Sequence, residues 1–183
     1  IPEFFHTDKS IRILKFFLED ILLNIKVPKF KSKIYIRRES TNYRKILNES
    51  DLIDKLRKKN FEIINPQHFS VLEQMKIFLN AKLIISPHGS NLANLIFCRE
   101  KTQIIEICPE LTNNYEKNIS LRYKNIANLL NLEFKSIKSE SVDVDRHSGL
   151  ASKYIHPKIL SNSNYYKNMI LKISEFEKFI NNL

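Results

Sequence analysis

Three polar segments of the sequence carry side chains suited to binding an anion, and each follows an apolar run. Arg37 and Arg38 follow the first run, Asn65-Pro66-Gln67-His68 the second, and Ser86-Pro87-His88-Gly89-Ser90-Asn91 the third. An arginine guanidinium is planar, permanently charged and well matched to phosphate oxygens. Gly89 would let a ligand approach the backbone, or permit a positive φ. If folding brings these segments together, they predict a phosphate or diphosphate site.

The third segment also opens a predicted helix at Ser90 or Asn91. A helix N-terminus presents unpaired N–H groups and a partial positive charge, and both attract anions. A simpler explanation stays open, in which Ser90 or Asn91 only caps the helix and Gly89 only shapes the turn. Arg37 and Arg38 point to alternate sides of a strand end. At least one of them is therefore expected to face solvent or pair with a carboxylate.

The elements that would position these residues are predicted from apolar runs of three to five residues. Such runs, rather than alternation, indicate strands buried on both faces, and hence a Rossmann-like parallel sheet with helices on both faces. Strands are predicted near residues 33–37, 61–65, 82–86, 103–107 and 133–136, and helices near residues 9–25, 48–60, 70–79, 92–97, 120–131 and 164–182. The carboxyl ends of parallel strands share one edge of a sheet, where ligands bind in open α/β folds. The three polar segments are therefore expected to meet there.

Side chains at three helices add local predictions. Ser70 and Glu73 have the spacing of a capping box, which accounts for Glu73 without a direct role in the site. Asn48 is predicted to cap the second helix. The last helix is predicted because apolar residues, including Tyr166 and Met169, recur at helical spacing.

Composition excludes several kinds of site. The 183 residues include two glycines, so neither G-x-G-x-x-G nor a Walker P-loop can occur. Cys98 and Cys108 match neither a C-x-x-C pair nor a zinc spacing, and both are expected to be buried thiols. No metal is expected, because no known spacing of metal ligands is matched in the polar segment 138–163, which contains Asp143, Asp145, His147 and His156.

The chain is basic, with 30 Lys and Arg against 20 Asp and Glu, a net charge of +10. Such a balance favours anionic partners, among them phosphates, nucleic acid and acidic membrane surfaces. The lysines are spread along the chain, as an AT-biased genome would produce without a selected partner. Aromatic residues follow no RNA-binding pattern. No specific nucleic acid is therefore expected, while peripheral membrane association and the oligomeric state stay open.

Five motifs in unbroken order, over about residues 10–135, resemble those of family 61 glycosyltransferases. The block 33–49, which includes Arg44, resembles the family's YISRR(D/E)…R…NE. The next two motifs have counterparts at 60–66 (GF-x-hydrophobic-x-x-P) and 70–74 (S-x-x-EQ). The fourth, A-x-x-hydrophobic-hydrophobic-G-x-HG(A/S)-x-x-x-N-x-x-F, is matched at 81–97, and the fifth, hydrophobic-E-hydrophobic-x-P, at 105–109. Asn60 and Ser86 replace family glycines, and neither change touches the His88-Gly89 pair.

The resemblance implies an inverting GT-B glycosyltransferase. Residues 1–183 would be its C-terminal, nucleotide-sugar-binding domain, with a core over about 30–136. Either the N-terminal acceptor domain would lie upstream of these residues, or the chain is a short relative of the family. Such an enzyme would transfer a sugar from a nucleotide sugar, a UDP-sugar, to a glycan or polysaccharide such as capsule, with no cofactor or metal. A bacterial enzyme would be cytoplasmic or peripheral to the cytoplasmic membrane, and a eukaryotic one would lie in the Golgi or ER lumen.

The resemblance also implies roles for individual residues. The donor-binding residues would be Arg37, Arg38, His88, Gly89, Ser90, Asn91 and Glu106, supported by Glu73, Asn94 and Pro66. The arginines and the helix start would stabilise charge on the leaving diphosphate. His88, the candidate catalytic residue, would orient the loop or touch the phosphate or sugar, and Glu106 would hold a ribose or sugar hydroxyl. Inversion also needs a base for the acceptor hydroxyl, which the sequence does not identify.

Two other functions stay open at this point. A non-catalytic Rossmann-like module that binds nucleotide or a polyanion would keep the arginines but show no turnover. A nucleic-acid binder driven by the net charge would lose affinity steeply with salt.

Overall fold

A computed structural model describes residues 8–23, 29–39, 43–111, 114–142 and 164–181. Its helices are α1 (Asp8–Leu23), α2 (Glu49–Lys58), α3 (Val71–Asn80), α4 (Asn114–Leu129) and α5 (Ile173–Asn181), with 3₁₀-helices at Pro66–His68, Ser90–Phe97 and Asn164–Tyr166. Its strands are β1 (Lys33–Ile36), β2 (Glu62–Ile64), β3 (Leu83–Pro87), β4 (Gln103–Pro109), β5 (Glu133–Val142) and β6 (Asn168–Ile170). Asp143, Asp145, His147 and His156 lie outside the described residues.

The six strands form one sheet in the order β2-β1-β3-β4-β5-β6. The pairs among β1 to β5 are parallel, and β6 runs antiparallel to β5. The predicted parallel sheet is therefore confirmed, and β5 is longer than the predicted strand at 133–136. The apolar runs form the sheet because both of its faces are covered, so an apolar side chain is buried whichever way it points.

Neighbouring residues of the strands β1, β3 and β4 contribute to two different cores. Ile34, Ile84 and Ile104 pack with α3, α4 and the 3₁₀-helix Ser90–Phe97 on one face. Tyr35, Ile85 and Ile105 pack with α2 and α5 on the other face. This arrangement confirms helices on both faces of the sheet. Part of α1 lies against the first core through the buried Ile11, while Phe16 and Phe17 on the same helix are exposed.

The C-terminal part differs from the predicted helix over 164–182. It begins with a 3₁₀-helix, continues as β6, and becomes α-helical only at Ile173. Met169 and Leu171 are buried while Ile170 between them is exposed, which is the period of a strand. The backbone of Met169 also pairs with Lys45 and Leu47. These long-range backbone bonds override the local helical spacing.

Asn48 does not cap α2 with its side chain, contrary to the prediction. Its amide instead bonds both backbone groups of Leu171, donating to the carbonyl at 2.8 Å and accepting from the N–H at 3.0 Å. The capping box at α3 is confirmed, with Ser70 and Glu73 each bonding the other's backbone. None of the helices within the described ranges is both long and apolar enough to cross a membrane.

Candidate functional site

The candidate site lies where the strand order reverses. β1 and β3 are adjacent, and the chain leaves β1 toward β2 on one side and β3 toward β4 on the other. Ligands of open α/β sheets bind at this switch point, outside the carboxyl ends of the strands. Arg38 follows β1, and His88 and Gly89 follow β3. A cavity of about 190 Å³ is lined here by Arg37, Arg38, Glu39, Lys45, Ile46, Glu49 and Pro87.

Arg38 lies directly against Gly89. Its NH1 donates to the His88 carbonyl at 3.5 Å, and its guanidinium lies 5.3 Å from the centre of the Tyr43 ring. A Cβ atom at position 89 would overlap the Arg38 guanidinium. The φ of Gly89 is 167°, which is extended backbone, so of the two alternatives for this glycine the left-handed φ does not occur. Glycine is needed here because the arginine occupies the space of a side chain.

Arg44 places a second guanidinium beside the first. Burial and, second, the positive charge of Arg44 lower the pKa of Arg38 to about 10. Arg44 is 6% exposed, and within the described ranges its buried Nε and NH1 atoms have no hydrogen-bond partner. Its guanidinium carbon lies 4.9 Å from the Tyr43 ring centre and 4.5 Å from that of Tyr165. The φ of Arg44 is 57°, a strained conformation of the kind found at functional sites.

His88 is buried in a hydrogen-bonded chain rather than exposed on a loop. Its Nδ1 lies 2.5 Å from Oε1 of Glu106, and its Nε2 lies 3.0 Å from the Tyr165 hydroxyl. The ring is 2% exposed and stands 5.1 Å from the Tyr123 ring. Because both ring nitrogens are engaged, this geometry fits a histidine that orients the loop. It does not present a nitrogen to an acceptor hydroxyl.

Glu106 lies inside β4 and not at its end, contrary to the prediction, because the strand continues to Pro109. The residue is 1% exposed, and its second carboxylate oxygen accepts from Ser136 at 3.4 Å. Its carboxylate is thus used by His88 and Ser136, so it is not placed to hold a ribose or sugar hydroxyl. It is the internal partner of His88.

Arg37 is neutralised by two carboxylates. It pairs with Glu39 and donates to Glu49 at 3.0 and 3.2 Å, and Glu49 also accepts from the Tyr35 hydroxyl at 2.8 Å. The expectation that one of the two arginines pairs with a carboxylate is confirmed. Arg38, Arg44 and Lys45, not Arg37, therefore give this site its positive charge.

The predicted helix start is a 3₁₀-helix beginning at Ser90, with Gly89 before it and no side-chain cap. Ser90 is exposed, and the Asn91 side chain donates to the Arg37 carbonyl at 3.4 Å. The capping explanation for Ser90 and Asn91 is therefore wrong for their side chains. Asn91 instead joins the 3₁₀-helix to the end of β1.

The predicted supporting residues lie around α3. Glu73 is engaged by Ser70, whose hydrogen bonds hold the Glu73 pKa below its usual value. Gln74 donates to the Pro66 carbonyl at 2.9 Å and accepts from Asn94 at 3.2 Å, so it joins Pro66 to Asn94. These contacts fix the loop after β2 to the 3₁₀-helix, and they bring none of the three to Arg38.

Metal-ligand geometry is not found in the described part of the chain, where no group of three or more His, Cys, Asp or Glu side chains could hold an ion. Cys98 and Cys108 are buried free thiols, as predicted. Burial raises the pKa of both, and that of Cys108 reaches about 11 because Glu106 adds its negative charge.

The site contains three residues that sequence reasoning does not assign to it: Arg44, Tyr123 and Tyr165. Arg44 stands in the block that resembles family 61, which was the available signal. Tyr165 carries no comparable signal, because it lies in the predicted C-terminal helix and outside the five motifs.

The comparisons with known proteins agree with the motif resemblance. A family model described as Glycosyltransferase 61 matches residues 3–105. The EGF domain-specific O-linked N-acetylglucosamine transferase of Bos taurus is 30% identical over 82 residues, which are 42% of this chain and 16% of that protein. The enzyme of that name from Drosophila melanogaster is 26% identical over 125 residues, 67% of this chain and 23% of that protein. These matches span less than a quarter of either relative. The family model matches more than half of the residues of this chain, so the chain belongs to the glycosyltransferase 61 family.

Proposed function

We propose that this chain is the donor-binding domain of an inverting GT-B glycosyltransferase, and that its donor is a UDP-sugar. Glycosyl transfer is supported by the family and by the transferase names of the relatives. Those names specify N-acetylglucosamine, so UDP-N-acetylglucosamine is the first donor to test. The acceptor would be a glycan or polysaccharide.

The observation that carries the proposal is the buried guanidinium of Arg44 beside Arg38. An unpaired buried N–H costs about 1–3 kcal/mol, and more when it is charged. A second positive charge nearby adds repulsion, which together with the larger effect of burial lowers the pKa of Arg38. A diphosphate offers several charged acceptor oxygens and would offset both costs. The cavity of about 190 Å³ is lined by Arg38, and Arg44 lies behind it rather than in its lining. It is smaller than the roughly 300–1,000 Å³ of pockets that enclose whole ligands, so it suits one part of a donor.

This placement would stabilise the leaving group of the transfer. As the bond from the sugar carbon to the diphosphate breaks, the electron pair passes to a phosphate oxygen. Arg38 and Arg44 would already be held near that oxygen, so little reorganisation would be needed when the charge develops. His88 and Glu106 would hold the loop that carries Gly89 against Arg38. The attacking hydroxyl approaches from the opposite face of the sugar, and its base would lie on the acceptor side.

Calorimetric titration with UDP, UMP, uridine and pyrophosphate tests this proposal. UDP should bind much more tightly than uridine, because the diphosphate makes the contacts with the arginines. Arg38→Ala should weaken UDP binding about 10- to 100-fold, the value of a charge-assisted hydrogen bond. Arg57→Ala is the matched control, since Arg57 is an exposed residue of α2 with one surface ion pair. It should leave the affinity unchanged.

A different result would contradict the proposal. If the Arg38 and Arg57 variants lose equal, small amounts of UDP affinity, and pyrophosphate binds as tightly as UDP, then binding is caused by diffuse electrostatic attraction and not by a specific site. A steep fall of affinity with salt would then support the polyanion-binding module.

A further inference from the structure

Tyr165 lies outside the residues matched by the family model, yet it reaches the centre of the candidate site. Its hydroxyl contacts Nε2 of His88 at 3.0 Å, and its ring lies 4.5 Å from the guanidinium carbon of Arg44. Tyr165 is 9% exposed and packs edge-on against His88 and Tyr166. One side chain therefore touches both the cation and the histidine of the site.

The backbone around Tyr165 is fixed to the segment that carries Arg44. The Arg44 N–H donates to the Lys167 carbonyl at 3.2 Å, and the Lys45 N–H donates to the Asn168 side chain at 3.0 Å. Met169 donates to the Lys45 carbonyl at 2.7 Å. These bonds hold Arg44 at its positive φ and hold its guanidinium over the Tyr165 ring.

We propose that Tyr165 is a positioning residue of the proposed donor site: its ring holds the Arg44 guanidinium in the orientation that binds the diphosphate. This inference rests on the proposed function. A cation over an aromatic face is attracted by the electron density of the ring, and the attraction is stronger when both are shielded from water. The ring attracts the charge of Arg44 from one side without accepting a hydrogen bond from Nε or NH1, so these two buried nitrogens keep their capacity to donate to an anion that displaces their neighbours.

The test compares substitutions that remove the ring with one that removes only the hydroxyl. Tyr165→Leu should weaken UDP binding about tenfold, the order of a buried cation–π contact. Tyr165→Phe keeps the ring and should bind UDP within about threefold of wild type. Phe179→Leu is the matched control, because Phe179 lies in the same C-terminal part but its ring faces Lys135 at 5.7 Å. It should leave UDP affinity unchanged.

A second measurement reads Arg44 directly and needs no ligand. The Nε–Hε resonance of Arg44 in a ¹⁵N correlation spectrum, assigned by its loss in Arg44→Met, should move in Tyr165→Leu and stay in Phe179→Leu. Where Tyr165→Leu does not fold, pentafluorophenylalanine at position 165 keeps the ring shape but reverses its charge distribution. That variant should weaken UDP binding as Leu does.

Three results would overturn the inference: wild-type affinity in Tyr165→Leu or the fluorinated variant, an equal loss in Tyr165→Phe, or an unmoved Arg44 resonance. An equal loss in Tyr165→Phe would assign the effect to the hydroxyl and His88. If wild-type protein binds no UDP, the proposed function fails by itself. The resonance then still shows whether Tyr165 orients Arg44.

Discussion

Replacing Arg44 by Met should make the protein more stable and a poorer binder of UDP. Met matches the apolar stem of arginine and leaves the backbone at its positive φ, so the substitution removes mainly the guanidinium. Two opposite effects then contribute to the free energy of unfolding. The buried charge and its unpaired N–H groups are lost, and so are the contacts with Tyr43 and Tyr165.

The magnitude follows from these terms. Relief of the two unpaired nitrogens, Nε and NH1, contributes about 2–6 kcal/mol, taking about 1–3 for each nitrogen. Loss of two cation–π contacts costs about 1–4 kcal/mol, taking about 0.5–2 for each. The repulsion with Arg38 is also removed. The net expectation is a gain of about 1–2 kcal/mol, or about 2–8 °C in Tm for a domain of this size.

Thermal and urea unfolding without ligand measure the gain, and calorimetry measures a UDP affinity lowered about 10- to 100-fold. Arg57→Met is the matched control, because Arg57 is exposed on α2 and its replacement should change stability by less than about 0.5 kcal/mol. A Tm lowered by several degrees, together with wild-type UDP affinity, would refute the reasoning. Arg44 would then be a stabilising residue of the fold.

Two further predictions concern the loop after β3 and the buried thiols. Gly89→Ala should leave Tm within a few degrees of wild type, because the φ of residue 89 is extended and the flexible end of Arg38 can move away from the new methyl group. Calorimetry should nevertheless show UDP binding weakened about tenfold or more, because Arg38 is displaced. Unchanged affinity would mean that UDP binding does not depend on the position of Arg38 against Gly89. Burial raises the pKa of the Cys98 and Cys108 thiols in the native protein above the ordinary value of 9.0. As the pH rises above about 9, the unfolded chain therefore loses these protons before the native protein does, and the free energy of unfolding falls. Urea unfolding should show a loss of about 3 kcal/mol between about pH 8 and about pH 10. Cys98→Ala/Cys108→Ala should abolish most of it, and the same loss in the double variant would assign it to other groups.

The sheet could be predicted from the sequence because its strands are marked by buried apolar runs. Ile84 and Ile85 face opposite cores, so the run needs no alternation, and the runs alone indicated a parallel sheet. The C-terminal part could not be predicted in this way. Helical spacing is satisfied there by Tyr166, Met169 and Ile173. The conformation is nevertheless decided by the backbone pairing of Met169 with Lys45 and Leu47. Local spacing carries no information about pairing with residues more than 120 positions away.

The same reasoning explains which site residues were found. Arg38 and His88 follow strands, so the rule about carboxyl ends brought them to one edge. Arg44 lies in an irregular segment, and its burial depends on Tyr165, which arrives from the far end of the chain. Asn48 shows the same effect, because a residue with a strong capping preference bonds Leu171 instead.

The bonds between Asn48 and Leu171 also determine when the site can appear as the protein is synthesised. The two residues are 123 positions apart, so at about 5–20 residues per second the second partner leaves the ribosome about 6–25 s after the first. By then β1 to β4 and the helices between them have already been made. A nascent chain can therefore pair these strands before the segment that holds Arg44 in place exists. If UDP binds this site, it would accordingly stabilise only a chain synthesised as far as Leu171, and it would not be the template on which β1 to β4 pair.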